Sequence, residues 1–110
     1  MALLVTGASG FLGSALLPKL LEKGHTVYGL SRHPPAPAEN LIPLVGDILQ
    51  PNLGLKEVPK GIDACHHLAA IHRLGEDKDG AIQKTNLDGT ENVIKFCEEH
   101  DIPRLFFCST

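Results

Sequence analysis

The run Thr6-Gly7-Ala8-Ser9-Gly10-Phe11-Leu12-Gly13 places three glycines at three-residue steps between an apolar segment and an amphipathic one. Glycines so spaced allow a tight turn, close approach of main chain to a phosphate, and close packing of a helix on the strand before it. A helix opening there adds unpaired N–H groups and the positive end of its dipole, so the expected chemistry is pyrophosphate binding. A turn needing glycine for geometry alone is the plainer reading, and the strand-before, helix-after context weighs against it. Further along, Asn86 and Gly89 interrupt an apolar helical stripe made by Ile82, Val93 and Phe96/Cys97. Burying an unpaired amide costs about 1–3 kcal/mol, so Asn86 needs a partner. Glycine inside a helix costs about 1 kcal/mol, which close packing of Gly89 against a sheet would explain. His66 and His67 are neighbours on a predicted strand and face opposite ways, so they cannot share a metal.

These residues require a frame of alternating strands and helices, the pattern of successive βα units and a parallel sheet. Strands are predicted at Met1–Thr6, Thr26–Leu30, Leu41–Val45, Asp63–Ala70 and Arg104–Cys108. Helices are predicted at Phe11–Lys23, closed by Gly24, and from about Asp79 to His100. Pro18 falls inside the first helix, where it removes a donor and crowds the Ser14 carbonyl, so a kink is expected there. Ser31–Asn40 carries three prolines and reads as a surface loop; residues 48–63, with Pro51, Gly54, Pro59 and Gly61, leave room for a short helix at most. Right-handed connections imply a doubly wound sheet of strand order 3-2-1-4-5.

Composition narrows the function classes. The chain has 110 residues, 43% apolar and 21% charged, with a net charge of −3, enough for one core and without the basic excess that nucleic acid or anionic lipid requires. The charge is uneven: residues 1–55 carry three of each sign, and the acidic excess falls mainly on the second helix, whose Lys84, Asp88, Glu91, Lys95 and Glu98 read as a solvated face. No apolar run approaches the ~20 residues of a membrane span, and the opening segment lacks the form of a signal peptide. Three cysteines, Cys65, Cys97 and Cys108, without C-x-x-C spacing, read as reduced core thiols and fit a cytoplasmic location.

Five motifs in order then resemble the extended short-chain dehydrogenase/reductase family of nucleotide-sugar epimerases, dehydratases and carbonyl reductases. They are the opening T-G-x-x-G-x-x-G; Gly46-Asp47-Ile48 after the third strand; His67-Leu68-Ala69-Ala70 after the fourth; Asn86-Leu87-Asp88-Gly89-Thr90-Glu91-Asn92-Val93 on the long helix; and Arg104-Leu105-Phe106-Phe107-Cys108-Ser109-Thr110. The resemblance spans the chain and implies a Rossmann-like α/β fold that binds a dinucleotide. Gly7, Ser9, Gly10, Phe11, Leu12 and Gly13 would hold its pyrophosphate. Asp47 would accept a hydrogen bond from the adenine amino group with the Ile48 backbone alongside, or else cap the residues that follow. Leu68, Ala69 and Ala70 would let the flat cofactor pass, or simply end a buried strand. His72 would touch the nicotinamide ribose, or stand as a lone exposed histidine. Asn86 would brace the active-site backbone.

The end of the second strand bears on which dinucleotide is taken. An acidic residue there favours NAD; this chain has Ser31, Arg32 and His33 and no carboxylate until Glu39. A hydroxyl and a guanidinium suit the extra phosphate of NADP, so NADP is expected over NAD; a solvated loop arginine is the alternative. The resemblance implies hydride transfer on a carbonyl or alcohol of a small-molecule substrate, with Thr110 at the catalytic Ser/Thr position, and a parent protein that forms homodimers. The family's Tyr-x-x-x-Lys acid/base pair is absent, since the only tyrosine is Tyr28, with Arg32 four residues on. The 110 residues are therefore expected to be the inactive N-terminal portion of a longer enzyme, its apolar fifth strand an exposed edge prone to self-association. A non-catalytic NADP-binding sensor module and an acyl-thioester reductase are the rivals.

Overall fold

The computed structural model describes residues 1–68 and 81–107, with main chain only at 11 and 81–85. Along the chain come β1 (Ala2–Thr6), α1 (Phe11–Glu22), β2 (Thr26–Ser31), β3 (Leu41–Val45), a 3-10 turn (Pro51–Gly54), β4 (Ala64–His67), α2 (Ala81–Glu99) and β5 (Leu105–Phe107). The strands form one parallel sheet in the order β3-β2-β1-β4-β5, the doubly wound arrangement predicted from the sequence. All five strands therefore end at one edge of the sheet. The order reverses between β1 and β4, and the crevice outside that reversal is where α/β sheets bind ligands.

The period-two alternation of β1 explains the two helix layers. Leu3 and Val5 join Ala8, Leu17, Leu20 and Val27 beneath α1. Leu4 points the other way and joins Leu30, Cys65, Val93 and Phe96 beneath α2. A central strand covered on both faces has to be apolar throughout, as residues 2–5 are. Fully buried Phe96 is the largest anchor of the α2 side, and such a side chain contributes about 1.5–3 kcal/mol on burial.

Local details refine the expectations and in two places, the end of α1 and the packing of Gly89, correct them. α1 runs through Pro18 without a break. Pro18 and Ser14 are both exposed, which leaves the Ser14 carbonyl that loses its helical donor within reach of solvent. The helix closes one residue sooner than the periodicity implies, with Gly24 N–H donating to Leu21 O at 3.0 Å and His25 N–H to Leu20 O at 3.3 Å, the paired bonds of a Schellman turn. Between β3 and β4 the short helix is a single 3-10 turn in which Asn52 and Leu53 take φ of 54° and 55°. Left-handed backbone costs a leucine about 1–2 kcal/mol; it is offset by complete burial of Leu53 and by a 2.7 Å bond between Asn52 Oδ1 and His100 Nε2. Finally, the glycine of α2 packs on a loop and not on the sheet: a Cβ on Gly89 would lie 2.5 Å from Ile48 Cδ1.

The α2 stripe is otherwise as read. Gly89, Val93, Phe96 and Cys97 are buried and Asn86 half-buried, while Asp88, Glu91, Lys95 and Glu98 are exposed. The predicted helix start at Asp79 and the side chain of Ile82 lie outside the described residues. β4 and β5 end at His67 and Phe107, short of the predicted Ala70 and Cys108, which also lie outside them. β5 pairs with β4, and Phe106 and Phe107 are about half exposed at this edge.

Candidate functional site

Because every strand is parallel, the residues singled out at strand ends converge on one edge. Gly7–Gly13 leaves β1, Ser31–Arg32 ends β2, Gly46–Ile48 follows β3 and Leu68 follows β4. Hydrogen bonds stitch them in that order across the sheet: Gly46 N–H to Ser31 O at 3.0 Å, Gly7 N–H to Leu30 O at 3.0 Å, and Leu68 N–H to Thr6 O at 3.2 Å.

The glycine loop divides its work. Gly7 takes φ 69°, a turn conformation that side-chain-bearing residues rarely adopt. Gly7 and Ala8 donate their N–H groups to Leu30 O, and Gly10 donates to Gly7 O. These residues thus supply shape, and the open donors lie in the first turn of α1, at Phe11, Leu12 and Gly13, whose N–H groups have no intrahelical acceptor. No side chain caps that turn and no carboxylate occupies it. Gly13 makes the approach possible, since a Cβ there would come within 2.6 Å of Ala8 O. An uncapped helix N-terminus beneath a backbone cradle is the arrangement that receives a phosphate, and the residues present fit a dinucleotide pyrophosphate.

Beside the cradle, Ser9 Oγ and Ser31 Oγ lie 2.7 Å apart, and Ser31 Oγ also accepts the His33 N–H at 3.2 Å. Both hydroxyls are at the surface next to exposed Arg32. No carboxylate pairs with that guanidinium among the described residues. Asp47 Oδ1 accepts the Leu49 N–H at 2.9 Å, so the capping reading is realised for one oxygen. Ile48 is held from α2, where Asn92 Nδ2 donates to its carbonyl at 2.7 Å. Leu68 forms a shallow apolar groove with Leu12, Ala15, Leu16 and Lys19 of α1. The side chain of Phe11, and Ala69, Ala70, His72 and Thr110, lie outside the described residues.

At the reversal between β1 and β4 stands a group the sequence reading passed over. Buried Thr6 Oγ1 and His67 Nδ1 are 2.7 Å apart, and His67 Nε2 meets Thr90 Oγ1 at 3.3 Å. Thr6 Oγ1 also accepts the Leu68 N–H at 3.1 Å. Burial lowers the His67 pKa, so the ring is neutral near pH 7, and either tautomer satisfies both threonines. His66 does face away from His67: it stacks on Phe106 with ring centroids 5.0 Å apart. Its pKa is also lowered, by burial and then by the nearby charge of His25. Next on the α2 face of β4, the free thiols of Cys65 and Cys97 share a hydrogen bond. The fully buried Cys65 thiol donates and is held well above the usual thiol range, while Cys97 as acceptor is drawn below it. Thr6, His67, Thr90 and Asn92 all stood inside quoted motifs. Their spacing alone carries no sign of contact between residues sixty positions apart.

The family model for the NAD dependent epimerase/dehydratase family matches residues 3–110. The chain belongs to that family. Among curated members, a 2-alkyl-3-oxoalkanoate reductase of Stenotrophomonas maltophilia is 38% identical over 112 residues, covering all of this chain and 33% of the relative. Among solved structures, a UDP-galactose 4-epimerase superposes with a TM-score of 0.82 at 25% identity, covering 100% of this chain and 38% of the other. A uronate dehydrogenase variant from Agrobacterium tumefaciens, solved with NAD, gives 0.78 at 26% identity over 99% of this chain and 40% of its own. The chain thus spans about a third of the reductase and about two fifths of the two solved chains, and as little as 12% of other curated relatives. The relatives bear the names of reductases, epimerases and dehydrogenases.

Proposed function

We propose that the chain is the nucleotide-holding part of an NADP(H)-dependent oxidoreductase acting by hydride transfer on a carbonyl or alcohol, with a nucleotide sugar or small carbonyl compound as substrate. The observation that carries this reading is the uncapped first turn of α1, cradled by the glycine loop and flanked by an acid-free β2 terminus. The N–H groups of Phe11, Leu12 and Gly13 would receive the pyrophosphate. Arg32 would pair with the phosphate on the adenosine ribose while Ser31, steadied by Ser9 and the His33 N–H, donates to it. Asp47 retains Oδ2 for an adenine amino group, and the Ile48 backbone, its carbonyl held by Asn92, would lie alongside the ring. When bound, NADP supplies or accepts the hydride. Thr110 would hydrogen-bond the substrate oxygen, and a Tyr-x-x-x-Lys pair, absent from these 110 residues, would move the proton. The reductase relative favours a carbonyl substrate within this class. We also place the protein in the cytoplasm, on its reduced thiols; among the described residues no helix is long and apolar enough to cross a membrane.

Titration of the chain with NADPH and NADH tests the reading. NADPH should bind more tightly, and Arg32→Ala should remove that preference while sparing NADH binding. Equal affinity for the two in the unaltered chain would overturn the NADP assignment; no affinity for either would overturn the binding role itself.

A further inference from the structure

The neutral imidazole of His67 has no place in the reading above, yet it occupies the reversal point of the sheet. It is 6% exposed and joined to Thr6, which is fully buried, and it touches three elements: β1 through Thr6 and α2 through Thr90, from its own place on β4. We propose that His67 is a positioning residue that fixes the backbone at Leu68, where the chain leaves β4 and enters the crevice.

The coupling runs through one oxygen. Thr6 Oγ1 meets the imidazole at 2.7 Å and also accepts the Leu68 N–H at 3.1 Å. That same N–H reaches Thr6 O at 3.2 Å. Orienting the Thr6 hydroxyl therefore orients the first residue past the strand. Thr90 ties the ring to α2 one residue from Gly89, which packs on Ile48, and Asn92 holds the Ile48 carbonyl. The strand ends on either side of the crevice are thus referenced to a single helix. Burial obliges both imidazole nitrogens to find partners, and here the partners lie on different elements, so the pairing that burial demands also ties β1 to α2. The role concerns nucleotide placement only if the cofactor reading holds, since Leu68 lies where that reading runs the nucleotide.

Amide hydrogen exchange in the full chain, with NADPH titration alongside, tests this. His67→Phe keeps the ring and loses both bonds; Leu68 exchange should rise about tenfold relative to Leu4, a central-strand amide that reports global opening. His67→Asn places its amide where Nδ1 stands, restores the bond to Thr6 alone, and should recover most of the Leu68 protection. Thr90→Val, the milder change if His67→Phe fails to fold, should raise Leu68 exchange to a lesser degree. NADPH affinity should follow the same order. An equal change at Leu4 and Leu68 in every variant, or no rescue by asparagine, overturns the proposal. If the unaltered chain binds no NADPH, the cofactor reading falls while the exchange comparison, which needs no ligand, still decides the positioning role.

Discussion

The two flanks of β1 end in opposite ways. Toward β2, the glycine loop and the Ser31–Arg32 terminus leave polar groups at the surface: open N–H groups on α1, two hydroxyls bonded to each other, and an unpaired guanidinium among the described residues. Toward β4, the polar groups are buried, and Thr6, His67 and Thr90 satisfy one another. Polar groups left exposed and pre-aimed cost little to maintain and gain when a charged ligand arrives. Polar groups sealed from water must be paired within the fold, because an orphaned one costs about 1–3 kcal/mol. The first flank thus presents open donors and the second is closed on itself, which is the division that the proposed binding and positioning roles rest on.

Substitutions should separate the two flanks by what they change. The largest effect is expected where frame and ligand meet: Gly13→Ala drives a Cβ into the main chain of Ala8. It should lower stability by about 1–3 kcal/mol in urea denaturation and abolish measurable NADPH binding. Thr6→Val keeps shape but orphans the His67 network, and should lose about 1–3 kcal/mol of stability; a melting curve matching the unaltered protein would erase the distinction drawn here. Arg32→Ala should weaken NADPH about tenfold with stability unchanged, and a drop in stability would place Arg32 in the frame instead. Ser9→Ala, which removes an exposed bond, should shift stability by less than about 0.5 kcal/mol.

Acid should attack the second flank. His66 and His67 both have folded pKa values below the ordinary 6.5, so the unfolded chain binds more protons than the native one. Their contribution to stability is full above pH 6.5 and is lost as pH falls through the depressed values. Denaturation midpoints measured from pH 7.5 downward should decline across that window. In His67→Asn the decline should be shallower; an unchanged slope would show that His67 does not titrate there.

Much of the fold was legible because its signals are local. The continuous apolar run of residues 2–5 reports a strand covered on both faces. The 3.6-residue stripe through Gly89, Val93 and Phe96 reports which side of α2 is buried, and glycines at 7, 10 and 13 report a turn that must let a helix approach. Pro18 conflicts with its helical pattern in the sequence, and α1 nevertheless runs on through it. Gly89 was read as facing the sheet, whereas the neighbour that forbids a Cβ is Ile48, 41 positions earlier. The Ser9–Ser31 bond and the Cys65–Cys97 contact were unreadable for the same reason: each joins residues whose proximity exists only after strands pair.

By itself, the sequence determined the element types, the parallel order and the glycine turn that opens α1, since periodicity, turn residues and glycine spacing act over a few positions. Tertiary structure decided which donors remain open, because the N–H groups of Gly7 and Ala8 turn inward to Leu30 O only once β2 lies alongside. It also decided that His67 is neutral and clamped between two threonines. Burial and pairing are properties of what surrounds a residue, and for His67 those surroundings come from β1 and α2, 61 positions before it and 23 after.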